Sequence, residues 1–102
     1  MNRTQTVPGL VTSFVRRPWM DKVEPAGKVI GKILDGFTPT WIVETDICLV
    51  RVRFDGNTPV VEQPQPIKGV GGRTPKIGHV QAKVDAIVTA LTSASYQPRL
   101  AA

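Results

Sequence analysis

The clearest pattern lies toward the C-terminus. Ile77, Val80, Val84, Ile87, Val88 and Leu91 recur every three or four residues, with Gln81, Lys83, Asp85 and Thr89 between them. That spacing winds one apolar stripe along a helix. Thr74 is placed to cap it, and Pro75 suits its first position, where a missing N–H costs nothing. Gly78 weakens the first turn by about 1 kcal/mol relative to Ala, which allows a start as late as His79.

Upstream the period changes from 3.6 to 2. Cys48, Val50, Val52 and Phe54 alternate with Leu49, Arg51 and Arg53, so one strand face is apolar and the other turns basic. Asp55-Gly56-Asn57 marks a hairpin, and Thr58 to Glu62 returns as a strand that Pro64 and Pro66 confine to an edge. Thr40 to Phe54 is the longest β-like run. Glu44-Thr45-Asp46 in its middle is either a tight turn between two strands or a polar kink in one. Lys28 to Leu34 predicts another strand, with Gly31 as a bulge or close backbone approach. Gly9 to Val15 has strand composition, and Arg16-Arg17-Pro18-Trp19 ends it. Met20 to Gly27 reads as a polar connection turning at Pro25-Ala26-Gly27, and Asp35 to Pro39 as the next turn.

Several strands followed by one helix predict an α+β fold: a small antiparallel β-sheet, or partly open barrel, of about five strands with one C-terminal amphipathic helix. The chain reads as a single domain over 1–102, with a loose arm at 1–8 and a polar tail from Ser93, loose over 95–102. Val84, Ile87, Val88 and Leu91 are expected to pack on the face holding Val50, Val52 and Phe54.

Composition narrows the chemistry. At 102 residues and 41% apolar content the chain can bury a real but modest core. Thirteen basic against eight acidic residues leave a formal charge of +5, and a pI near 9.9 favours acidic partners such as nucleic acid. The charge is uneven. Residues 1–40 carry net +3, residues 41–67 net −2 and residues 68–102 net +4. The single cysteine, Cys48, rules out an internal disulfide, and with one histidine, His79, no conventional zinc site can be built. The first residues lack the apolar core of a signal peptide, and no apolar run approaches the ~20 residues needed to cross a bilayer. A cytoplasmic protein, or part of a virion assembled there, is the expectation.

Three places carry candidate chemistry. The loop Lys68-Gly69-Val70-Gly71-Gly72-Arg73-Thr74-Pro75-Lys76 feeds small residues and three cations into a helix start, an arrangement suited to an anion. It lacks the spacing of nucleotide-binding glycine motifs, so the plainer alternative is a connector. Arg16-Arg17-Pro18-Trp19 sets two guanidiniums beside a ring, as single-stranded nucleic-acid binders do, with Trp41 and Phe37 as further rings. The alternative is that Trp19 seals the core edge while the arginines are solvated. Arg51 and Arg53 on one strand face suit a sugar-phosphate backbone, unless Glu62 across the hairpin balances them. Cys48 reads as core, His79 as exposed, and Glu44 with Asp46 as too few carboxylates for a divalent ion.

No nucleophile, acid–base pair or cofactor motif emerges, so the expectation is a non-enzyme with no cofactor, metal or small-molecule substrate. The leading expectation is a small binding module whose basic face contacts nucleic-acid phosphates through Arg16, Arg17, Trp19, Arg51, Arg53, Lys68, Arg73 and Lys76. The second is a structural or assembly subunit, a virion component or self-associating adaptor, meeting a protein partner or its own copies through loops and tails. A membrane partner is not expected. The nucleic-acid expectation depends on the two basic ends folding toward one another.

Overall fold

The computed structural model of this chain describes residues 7–96. In chain order the elements are β1 (Leu10–Val11), α1 (Pro18–Val23), β2 (Lys28–Asp35), β3 (Thr38–Glu44), β4 (Cys48–Asp55), β5 (Thr58–Val61), β6 (Gln65–Pro66) and α2 (Ile77–Tyr96). The strands form one antiparallel sheet in the order β1-β2-β3-β4-β5, with β6 also paired to β4, beyond β5. The sheet stays open, so the fold is α+β with a C-terminal helix.

The sheet is built from adjacent hairpins, each set by its turn. Gly36 and Gly56 take positive φ in the β2–β3 and β4–β5 turns, a region open to glycine without steric cost. Between β3 and β4 the chain turns on a side chain instead. The buried Thr45 hydroxyl accepts the N–H groups of Ile47 (3.1 Å) and Cys48 (3.0 Å) and donates to the Cys48 carbonyl (3.2 Å). This resolves the Glu44-Thr45-Asp46 ambiguity in favour of two strands, since a hydroxyl that satisfies the turn's backbone makes an uninterrupted strand the poorer choice.

Pairing register sorts the side chains into two faces. Trp41 stands opposite Val52 and Val43 opposite Val50. They form the floor of the main core together with Val29, Cys48, Met20, Val23, Val80, Val84, Ile87 and Leu91. Both helices lie on this face, α2 against α1, β5 and β4. Among the described residues the other face carries no helix. Its centre, Ile42 and Leu49, is covered by Val7 and Ile67, with Leu10, Ile30 and Ile33 alongside.

Several expectations are corrected. The first strand is two residues long, and the chain then crosses to the helix side, where Phe14 meets Trp41 edge-on at 5.4 Å. The supposed connection from Met20 begins instead inside α1. Arg17 is extended (φ −113°, ψ 153°), as a residue before proline must be, and Pro18 opens the helix. Proline ends strands and starts helices, and only Met20 and Val23, both buried on one side of the turn, distinguished the two uses. The bulge between Val29 and Gly31 is present and inverts the faces of all later β2 residues, so Lys32 joins Trp41 and Ile33 turns to the helix-free side. A Cβ on Gly31 would sit 2.5 Å from the Val11 carbonyl oxygen, which is how β1 comes so close.

Helix α2 starts at Ile77, not at the Thr74–Pro75 cap, and continues through Ser93 to Tyr96. The Lys76 carbonyl accepts its first N–H groups, from His79 and Val80. Ile77 precedes the part of the helix that lies over the core, and Val88 sits on the margin of a seam only one helix wide, so both are exposed where the stripe expected burial. Within the expected loose arm, Val7 is buried, because it covers the helix-free cluster. Residues 1–6 of that arm, and 97–102 of the expected tail, lie outside the described residues. No helix is long and apolar enough to cross a membrane among the residues described.

The seam and its margin can be tested together. Val84→Asp places an unpaired charge in the core and should cost about 4 kcal/mol or more, while Val88→Asp should cost under about 1 kcal/mol. Thermal unfolding followed by circular dichroism compares them. Equal losses would mean that the helix is docked through a different face.

Candidate nucleic-acid interface

The eight cationic and aromatic candidates fall into distinct places. Trp19 packs its ring 5.1 Å from Phe54 and 5.8 Å from Trp41, so it belongs to an aromatic cluster at the hairpin end of the helix-covered face. Arg16 and Arg17 precede it there. Arg16 donates to Asp21 (2.9 Å) and pairs also with Glu24. The Asp21 hydrogen bonds, supported by the Glu24 charge, raise its pKa above the usual arginine value, so it is held positive but partly neutralised. Arg17 is exposed, with no acidic partner among the described residues.

Lys68 lies at the other end. Its neighbour Ile67 donates its N–H to the Ile47 carbonyl at 2.8 Å, just before β4 begins. Ile47 and Phe54 stand seven positions apart on an extended chain, about 23 Å. The two basic ends therefore sit near opposite ends of β4 and do not merge. The glycine loop folds back on itself, with the Gly69 N–H bonded to the Arg73 carbonyl (2.8 Å), which keeps the Arg73 backbone beside Lys68. Gly71 and Gly72 both take positive φ, as so tight a loop requires. Lys76 leads away into α2.

Arg51 and Arg53 occupy the helix-free face, as their alternation with Val50, Val52 and Phe54 implied. Arg51 stands opposite Ile42, half-buried, without an acidic partner among the described residues. Arg53 stands opposite Val60 and donates from Nε to Glu62 at 3.1 Å, the balancing contact weighed from sequence. Both partners are more than two-fifths exposed. Ile67 packs with Leu49, two positions from Arg51, on the helix-free side. The helix-free face thus carries Arg51 and Arg53 along β4, Lys68 and Arg73 lie near its Thr45 end, and Arg16, Arg17 and Trp19 lie across the molecule.

Two cations escaped the sequence reading. Lys28 shares the helix-free side, opposite Glu44 in register. Lys32 rests 5.3 Å from the Trp41 ring centre on the helix side. Only the bulge decides their faces, and a lone Gly31 does not say where it falls. Lys83, by contrast, is spent on Asp46 at 3.1 Å. Among the described residues there is no cluster of three metal-ligating side chains and no buried side-chain polar atom without a partner. Cys48 is fully buried and His79 exposed. No known protein family, curated protein or solved structure matches the chain.

The ion pairs that occupy Arg16 and Arg53 are solvent-screened, and the Arg53–Glu62 pair should stabilise the fold by less than about 1 kcal/mol. Glu62→Gln should accordingly leave the unfolding midpoint in denaturant nearly unchanged while freeing Arg53. A drop of several kcal/mol would show instead that Glu62 holds β5 in place.

Proposed function

We propose that this protein is a non-enzymatic binding module that takes nucleic-acid phosphates on the helix-free face of its sheet. Arg51 is central and Arg53 follows it along β4, while Lys68 and Arg73 add positive charge near the Thr45 end of the strand. The observation behind this reading is Arg51: half-buried, facing away from both helices, and unneutralised by any described carboxylate. A guanidinium in that position can meet a phosphate bidentately. Arg53 follows two positions along the same strand, about 7 Å away, and can exchange the exposed Glu62 for a second phosphate. Such contacts position a backbone without reading sequence.

Titration of labelled oligonucleotides by fluorescence anisotropy tests this. Binding at low salt should weaken on a log–log plot with a slope of about −2 to −3, matching two or three phosphates. Arg51→Gln should weaken binding and flatten the slope by about one, and Glu62→Gln should tighten it. Absence of binding at low salt, or indifference to Arg51→Gln, sinks the proposal.

A second reading, an assembly subunit, is favoured by a different feature. Phe37, at the tip of the β2–β3 hairpin, is fully exposed, and Leu34 in the same hairpin is 61% exposed. Leu34 faces the helix side but lies past the helices, opposite Pro39. Large apolar side chains at a projecting tip are the kind that anchor protein interfaces. If the chain meets its own copies there, sedimentation should show mass rising with concentration, and Phe37→Ser should abolish the rise without altering the fold. A monomer at all concentrations argues against self-assembly.

A further inference from the structure

We infer that the nucleic acid taken by the helix-free face is a duplex held by its charge density, not a single strand held by its bases. This rests on the nucleic-acid reading above. Single-strand binders draw much of their affinity from stacking bases on aromatic rings. Here the rings are committed elsewhere. Phe14, Trp19, Trp41 and Phe54 pack on one another, with Phe14–Trp41 and Trp19–Trp41 nearly perpendicular at 76° and 74°. Register sets Trp41 and Phe54 on the opposite face from Arg51 and Arg53.

The open floor beside those arginines is made of Thr40, Ile33 and Val60, all half-buried. A threonine and branched aliphatics offer a base little to stack on. Phe37 stands apart from these four at the hairpin turn, four positions from Trp41 and so about 13 Å beyond it along the strand. It is a single ring off the floor.

What the face retains is charge, and for a surface that attracts by charge the denser polyanion wins. A duplex carries one phosphate per about 1.7 Å of axis against about 3.4 Å for each strand, and releases more counterions per contact. The paired guanidiniums on the sheet then grip one phosphate ridge of the duplex, with little dependence on sequence.

The test compares one mixed-sequence oligonucleotide as a single strand and annealed to its complement, by anisotropy at low salt, with wild type and Phe37→Ala. The duplex should bind about three- to tenfold more tightly, with Phe37→Ala leaving that ratio unchanged. A single strand that binds equally or more tightly overturns the inference while the nucleic-acid reading stands. So does loss of binding in Phe37→Ala, because affinity would then depend on a ring. If neither form binds wild type, the parent reading fails, and this inference with it.

Discussion

The rest of the molecule depends on the two-sidedness of β4. Cys48, Val50 and Val52 are fully buried on one side, and that side must be covered. Two helices cover it, α2 supplying Val80, Val84, Ile87 and Leu91, and α1 supplying Met20 and Val23. Each buried aliphatic side chain contributes about 1.5–3 kcal/mol, so this layer dominates the stability of so small a chain. The consequence for function is geometric. With both helices on one face, Leu49, Arg51 and Arg53 are left on the other, where Val7 and Ile67 pack over Ile42 and Leu49.

That asymmetry also separates charge from aromaticity. The rings seal the open end of the core, and Lys32 lies against Trp41 as part of that seal. The cations that remain unneutralised are distributed by the strands that carry them. Arg17 lies at the hairpin end on the helix side, Arg51 mid-sheet on the bare side, and Lys68 with Arg73 near the Thr45 turn. A basic sequence has become several modest positive regions, of which the sheet face is the most organised. Two exposed apolar residues, Leu34 and Phe37, stand on the β2–β3 hairpin. A phosphate-gripping floor and an apolar tip can therefore act independently.

Much of the architecture was legible because it depends on local periods and turns. The hairpin at Asp55-Gly56-Asn57, the alternation through Phe54 and the long C-terminal helix each follow from spacing within ten or twenty residues. Helix α1 was not legible. Six residues are too few to show a period, and Pro18 is equally at home ending a strand. Arg51 and Arg53 were placed correctly on a common face by alternation alone. Their neutralisation was not so simple: Glu62 reaches Arg53 and leaves Arg51, a difference of one strand position.

By itself the sequence determined the order of strands and helix, the apolar face of β4, the core role of Cys48 and the surplus of positive charge. These are properties of neighbouring residues, fixed by backbone geometry and by which side chains avoid water. Tertiary structure alone decided that Arg17 and Lys68 stand near opposite ends of one strand and that Trp19 turns inward to Trp41. It also decided that Lys32 and Ile33 exchange faces, and that Ile77 and Val88 stay in solvent. The reason is physical: each of these depends on register across the sheet or on where a helix comes to rest. Such relations join residues far apart in the chain, and no local pattern encodes them.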